Sequence, residues 1–525
     1  MKLPNPFSAR RDALAKERAR GFAAGIAQRP RQARMFQAGS IDRLTSDWTS
    51  TPLSADQIVF RNLRTLRARS RAEFCNNDFA ERFICMVKQN VIGAEGILFQ
   101  SRLSGGAPRD DEALNRIVNR AWRDWGDREN CDASCRSGWV DQQNQFIGTV
   151  ALDGEYIALQ DESPTGYGYK IRALDPELLD ITHNMSAVPG GGYIRMGVEC
   201  LSTGRPVAYH LLDPAATSNL WGGSRSNRIR VPAEQCTHEF ITDMVGQSRG
   251  LPWMSTALFR MRNLGAYEDA AIMAARVGAA NMGLIETPPD DGSTGFQGDG
   301  EDANGNPEIQ VDPASFQRLN PGEKLTPWNP DYPRGEFEPF MKRCLRGIAS
   351  GLGVSYNVFA NDLEGVNYSS IRAGLVEERE VWKALQSWVV TVYCRPHFRR
   401  WLTRAITIGA VPIHPDLITP ICKSAVWSPR RWAWVDPLKD QQANQTSIAN
   451  RTTSISQIIR EQSQREPEEV WLELSGDIKR LKELGIAISA PTAVAVTSPA
   501  SSTDDSDSES EQKDETNEDE NDQSD

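Results

Sequence analysis

Apolar residues in this chain change their spacing twice, and those two switches limit the fold more than any composition figure does. From 55 to about 152 they recur at three- and four-residue steps, the period of an amphipathic helix. Asn77–Asn90 is the clearest stretch, with Phe79, Phe83, Met86 and Val87 on one stripe and Gly93-Ala94-Glu95-Gly96 as its stop. The same period predicts helices over 55–75, 111–126 and 137–152, and in the first of these Arg61, Arg64, Arg67 and Arg71 share a face. Between 154 and 250 the runs EYIALQ, YKIRALD, YIRMGVEC, RPVAYHLL and HEFIT are short, β-prone and separated by Gly, Pro, Asn and Asp. They predict an antiparallel sheet. Helical spacing then returns in WMSTALFRMRNLGAYEDAAIMAARVGAAN (253–281), in FEPFMKRCLRGIASGL and over about 369–407. Pro396 is expected to kink that last helix or relieve a bend in it. Two further helical stretches, 434–462 and 468–486, precede the C-terminal tail. The fold class is α+β.

Between the helices of 253–281 and 337–352, regularity is lost, and ETPPDDGSTGFQGDGEDANGNPE reads as an extended, exposed insertion. A calcium loop built on Asp302, Asn304 and Asn306 fails there, because Pro307 stands where the loop needs glycine. At 525 residues the chain has room for roughly two to four domains. Its net charge of −11 is misleading. Thr503–Asp525 holds twelve acids and one lysine, so the other residues carry 58 charges of each sign. The body is neutral, and the acidity belongs to a tail whose composition predicts disorder. At the other end, residues 1–34 carry nine basic and two acidic side chains, read as a solvated amphipathic arm, with contact to an acidic partner as the alternative.

Catalytic and metal signatures are missing. There is no P-loop, no strand-to-helix G-x-G-x-x-G and no H-E-x-x-H, and the five histidines are scattered. Nine cysteines without repeated C-x-x-C suit reduced thiols, and Cys131 and Cys135 lack a second ligand pair for zinc. The N-terminus lacks the apolar core of a signal peptide, and no run of about 18 apolar residues suggests a membrane span. One stretch, GLGVSYNVFANDLEGVNYSSIRAG (351–374), comes close to a nucleophile elbow, G-x-S-x-G. Asn357 replaces the last glycine and an amphipathic helix precedes Ser355 where a strand is required, so the expected reading is a loop between helices. Gly351, Gly353 and Gly365 would supply its backbone freedom, and Asp362 and Glu364 would be solvated acids.

The order of segments, together with specific stretches, resembles the portal (head–tail connector) proteins of tailed bacteriophages, in particular the lambda-type family. The stretches are NDFAERFICMVKQNVIGAEGI (77–97), DGEYIA with IRALDPELLD, MGVECLSTGRPVAYHLLD, IRVPAEQCTHEF with RGLPWMSTALFRMRNLGAYEDAAIMAARVGAA, LRGIASGLGVSYNVFANDLEGVNYSSIRAGLVEER (345–379) and WVDPLKD. Together they cover most of 55–445; the termini follow no pattern of the family.

The resemblance implies a non-enzymatic portal fold of wing, stem, clip and crown. It implies a ring of twelve subunits at one capsid vertex, a sequence-nonspecific channel for double-stranded DNA, and no cofactor or membrane. The implied partners are the terminase large subunit, then a head-completion or adaptor protein, with major capsid and scaffold proteins around the ring. Assembly would take place in the host bacterial cytoplasm and the product would sit in the virion. Carried onto this sequence, 1–54 is an arm, 55–252 the wing, 253–282 the first stem helix, 283–336 the clip and 337–354 the second stem helix. Then 355–370 is the tunnel loop, 371–436 a long wing-to-crown helix region, 437–490 crown-side helices and 491–525 the tail. In the tunnel loop Asn357, Asn361, Asp362, Glu364, Asn367 and Ser369 would face DNA, with no lysine or arginine among them. On the stem, Arg260, Arg262, Arg276, Lys342, Arg343 and Arg346 would face phosphates or pair with a neighbouring subunit's Glu268, Asp269, Glu336 and Glu338. The rivals are a DNA-processing enzyme, which lacks its ATP-binding loop here, and a scaffold that never touches DNA. Truncation at Ala490 is expected to leave the melting temperature unchanged, and a marked drop would refute the reading of the tail.

Overall fold

The computed structural model describes residues 51–103, 108–213, 228–279, 337–364, 368–432, 437–462 and 467–485, with short strands at 283–285, 300–301, 307–308 and 316–318 and residues 14 and 16. The arm before residue 51, most of 283–336, Asn367 and the acidic tail lie outside the described residues. The chain divides into two units, one through Arg430 and one from Arg431.

The first unit opens with α1 (Ala55–Asn76) and α2 (Asp78–Val91). Ser54 and Gln57 cap α1 reciprocally, and the Asn77 side chain accepts from the Phe79 and Ala80 amides, which starts α2 at once. Strand β1 (Leu98–Gln100), α3 (Pro108–Trp125), the turn α4 (Arg128–Cys131) and α5 (Trp139–Asp153) follow. Strands β2 (Glu155–Glu162), β3 (Tyr169–Leu174) and β8 (Cys236–Phe240) form an antiparallel sheet in the order β3-β2-β8. A second antiparallel sheet runs β4 (Tyr193–Arg195), β5 (Val198–Cys200), β6 (Pro206–Leu212), β7 (Arg228–Pro232). The expected single run YIRMGVEC is therefore a hairpin. Met196 and Gly197 turn it with φ of 49° and 84°. One apolar cluster joins both sheets: Ile157 and Cys236 from the first, Val198, Cys200, Tyr209 and Leu211 from the second, and Leu179 between them.

Helix α6 (Leu258–Ala279) leaves the sheets. Among the described residues of the insertion, β9 (Gly283–Ile285) pairs in parallel with β12 (Phe316–Arg318), and β10 (Gly300–Glu301) with β11 (Pro307–Glu308). Helix α7 (Phe337–Leu352), the turn α8 (Tyr356–Phe359) and α9 (Tyr368–Val389) come next. The expected irregularity at Pro396 takes a definite form. Val390–Cys394 is a π-helical turn that runs straight into α10 (Arg395–Thr407). Proline cannot donate to the carbonyl four residues back, and the widened turn absorbs the missing bond without ending the helix. The turn also seats Tyr393 between Trp139, 5.3 Å away and nearly parallel, and Phe146, at 4.3 Å. After α11 (Ile418–Ser424), strand β13 (Val426–Ser428) pairs with β1 across the length of the unit, with Phe99 opposite Trp427. Their rings join Trp122, Phe398, Trp125, Trp139 and Trp401 in one aromatic core. The second unit contains α12 (Pro437–Ala449), α13 (Ile455–Gln462) and α14 (Pro467–Glu483).

A carboxylate, Glu155, sits at the centre of the first unit with none of its surface exposed. It accepts from Arg249, from Arg67 Nη2 at 2.8 Å, from His238 Nε2 at 3.0 Å and from the Gly250 amide at 3.2 Å. Burial alone would push this carboxyl up; Arg249, with His238 and Arg67, overrides that and holds it well below the usual range. Arg249 Nη1 also donates to the Leu179 and Met196 carbonyls, and Arg67 donates to the Asp153 carbonyl and Glu177. The ladder of arginines expected on one face of α1 thus divides: Arg67 and Arg71 point inward to Glu155, Glu177, Asp153 and Asp175, while Arg61 and Arg64 are exposed.

At the same place two backbones touch. Gly154 has φ of 92° and a Cβ there would fall on the Leu251 backbone, while a Cβ on Gly250 would fall on the Gly154 carbonyl. Gly154→Ala is expected to cost about 2–5 kcal/mol, strain and overpacking combined. Gly246→Ala, at φ of 84° with nothing within 4 Å, carries the strain alone and should cost about 1–2 kcal/mol. Equal losses in denaturant melts would contradict the close approach.

His397 is fully buried, with Nδ1 at 2.6 Å from the Tyr169 hydroxyl. Burial, reinforced by Arg400, pushes it down to about 3. Burial pushes the half-buried Glu239 up to about 7, against the opposing pull of Arg400. As pH falls from about 6.5 to about 4.5, an unfolded histidine takes up a proton that folded His397 refuses, which costs stability at up to about 1.4 kcal/mol per unit. Glu239 works in the opposite sense over the same interval, because its folded carboxyl keeps a proton that the unfolded one releases. Their contributions offset each other. Glu239→Gln removes the offset, so its melting temperature should fall relative to the wild type between pH 6.5 and 4.5. Parallel curves would refute the assignment.

Candidate functional site

Helices α6 and α7 run antiparallel and carry the six cations singled out in the sequence. At one end Tyr267 stacks on Phe337 at 5.6 Å and meets Phe340 edge-on at 5.1 Å. At the other, Gly347 leaves a notch that the Arg260 guanidinium occupies, and Thr256 Oγ1 donates to the Gly351 carbonyl at 3.2 Å. Gly351 is therefore helical rather than part of a loose loop; the left-handed residue is Gly353, at φ of 70°. Helix α7 buries Met341, Leu345, Ile348 and Ala349, an i, i+4, i+7 stripe. Helix α6 buries Leu258, Met261, Leu264 and Ala271, yet it also exposes Phe259 (79%), Ile272 (57%) and Met273 (56%). It is apolar on two sides.

The cations do not act as one set. Arg260 fills the notch at Gly347, Arg262 lies 3.9 Å from Glu73, and Arg346 stands 5.2 Å over the Tyr356 ring. Lys342 is surrounded by carboxylates of its own subunit: Glu338 at 2.6 Å, Glu364 at 3.4 Å and Asp362 at 3.5 Å. Arg276 and Arg343 are exposed. Arg276 lines a groove with Asp78, Glu268, Asp269 and Phe337. There burial, then Asp78 and Asp269, push the Glu268 carboxyl up.

The stretch after α7 is more ordered than its glycines suggest. Ser355 caps the turn α8 at ordinary angles, φ −67° and ψ 129°, and Phe359 is buried against Phe79 at 5.7 Å. No strained elbow exposes the Ser355 hydroxyl. Asn361 adopts φ of 51°, a conformation asparagine tolerates, and returns the chain so that the Asp362 amide donates to the Asn357 carbonyl at 3.1 Å. Asp362 is not a freely solvated acid, since it accepts from the Tyr356 hydroxyl at 2.7 Å and from the Glu364 amide at 3.1 Å. The Tyr356 bond is the largest of the causes holding its carboxyl below the usual range. Glu364 is exposed, and Ser369 falls in the first turn of α9. The structure brings Asn357, Asn361, Asp362 and Glu364 together at one corner with Lys342 and Arg346. Sequence reading put those two cations on a stem helix and missed that they serve this corner; the i, i+4 pair Glu338–Lys342 was the available signal.

Among the described residues no cluster of histidine, cysteine, aspartate or glutamate is arranged to hold a metal ion, and no helix is long and apolar enough to cross a membrane.

Residues 42–386 match the family of phage portal proteins of the lambda type. The probable portal protein of Halomonas phage phiHAP-1 is 32% identical over 464 residues, which cover 87% of this chain and 88% of that one. Portal protein B of Escherichia phage lambda is 22% identical over 401 residues, covering 70% and 73%. A solved neck of a native gene transfer agent particle, computed with C12 symmetry, is 13% identical with a TM-score of 0.37, covering 80% of this chain and 97% of that one. With the family matched across more than half its length, the chain belongs to the lambda family of phage portal proteins.

Proposed function

We propose that copies of this chain close head-to-tail into a ring of twelve at one capsid vertex and that double-stranded DNA passes through its centre during packaging and ejection. The observation that carries this reading is the second apolar side of the α6–α7 pair, where Phe259, Ile272 and Met273 stand out with Phe340, half of whose surface is exposed. Side chains of that size cost solubility in a monomer and suit a surface that another subunit covers. In this reading α6 and α7 are the stem helices, 283–336 is the clip that receives the terminase large subunit and later a head-completion or adaptor protein, and 55–252 is the wing facing scaffold and capsid.

A channel must hold DNA without gripping it. One exposed charge pair contributes about 0–1 kcal/mol, but twelve in a ring reach roughly 10 kcal/mol, enough to stop a sliding duplex. The corner at 357–364 carries two acids and no lysine or arginine, which suits weak, sequence-independent contact. The role is structural rather than enzymatic, as the ordinary cap geometry of Ser355 supports.

Each apolar side chain covered at an interface contributes about 1.5–3 kcal/mol. Phe259→Ser, Ile272→Ser and Met273→Ser together should therefore weaken each interface by about 5 kcal/mol, on the order of a thousandfold or more. Light scattering and negative-stain microscopy are expected to find rings with a central hole for the wild type and small species of unchanged helicity for the triple variant. Wild-type protein that stays monomeric at every concentration would overturn the proposal, and rings that never bind duplex DNA would favour a pure scaffold.

A further inference from the structure

Lys342 looks in the sequence like a cation offered outward from a helix, and its surroundings say otherwise. It stands within 3.5 Å of three carboxylates, Glu338 one turn back on α7 and Asp362 and Glu364 beyond α8. Asp362 is held a second time by the Tyr356 hydroxyl at 2.7 Å, and Tyr356 is in turn covered by Arg346, 5.2 Å from its ring centre. Two cations therefore face three carboxylates, leaving one negative charge in excess. A lysine whose ammonium is already shared among three acids has no donor free for a phosphate, and the excess charge repels one.

We propose that Lys342 and Tyr356 are positioning residues, a clasp that fixes the acidic corner at 361–364 against α7 and uses up within the subunit a cation that would otherwise grip DNA. The clasp stands on the contacts above; its bearing on DNA rests on the channel reading. Repeated around a ring, such corners would line the path with groups that keep a duplex centred, since each repels phosphate equally from its own side.

Two measurements on the full-length protein separate these parts. Without DNA, hydrogen exchange of the peptide spanning 357–364 reports the clasp directly, because the Asp362 and Glu364 amides are bonded within it. Lys342→Gln and Tyr356→Phe should each speed that exchange roughly threefold to tenfold while α7 stays unchanged, and Lys342→Arg should restore the wild-type rate. Wild-type exchange in both Lys342→Gln and Tyr356→Phe would overturn the clasp. With a short blunt duplex, Glu338→Gln combined with Asp362→Asn and Glu364→Gln should free the ammonium and steepen the salt dependence of binding by about one phosphate contact per subunit engaged, a slope near −0.9 each. An unchanged slope would overturn the claim that the cation is used up. If no form of the protein binds or threads duplex DNA while the exchange changes hold, the channel reading fails and the clasp remains.

Discussion

The first unit is organised around one buried charge. A fully desolvated carboxylate is tolerable only if its lone pairs are filled, and Glu155 fills them from four directions: α1 through Arg67, β8 through His238, and Arg249 and the Gly250 amide from the segment that leads into α6. Because Arg249 itself has no exposed surface and spends its remaining donors on the Leu179, Met196 and Pro176 carbonyls, the same ion pair also pins the connection between the sheets and the β4–β5 turn. Removing Glu155 would leave Arg249 buried without a carboxylate, a loss of about 3–5 kcal/mol. Apolar residues in these places could pack as well, but they would not specify which strand meets which helix. Donors and acceptors do.

Packing takes over where the charges stop. The aromatic core around Trp122, Trp125, Trp139 and Trp401 joins α3, α5 and α10, and the π-helical turn before Pro396 lets Tyr393 enter the stack between Trp139 and Phe146. His397, one residue past the proline, stays neutral here because it is fully buried and Arg400 lies nearby, while the Tyr169 hydroxyl occupies its Nδ1. The α6–α7 pair is built differently. It carries little of this core and leaves large apolar side chains uncovered, as suits an element completed by association.

Much of this was legible from residue spacing. Helices expected over 55–75 and 137–152 appear at Ala55–Asn76 and Trp139–Asp153, because their apolar stripes face a core inside the same chain. What escaped detection depends on partners far away in sequence. Strand β7, RIRVP, alternates arginine with Ile229 and Val231, but the run is short and mostly exposed, so neither face marks a core. The β1–β13 ladder pairs Phe99 with Trp427, and neither three-residue segment reads as a strand alone. Arg67 was visible as one of four arginines on a helix face, but only the fold reveals that it and Arg71 turn inward. At the candidate site, Asn357, Asn361, Asp362 and Glu364 lie at one corner because they are neighbours in sequence. Lys342 was assigned outward because its partners Asp362 and Glu364 lie beyond a reversal of the chain made by Asn361.

The contact between Gly154 and Gly250 has a mechanical meaning. The segment 155–249, which builds both sheets, enters and leaves at this one crossing. Tension applied along α6 reaches Gly250 first, and from there it passes across the crossing to the end of α5 and across Glu155 to α1. A shift of the helix ends at this crossing therefore moves the buried ion pair with it, and the first strand of the sheet with that.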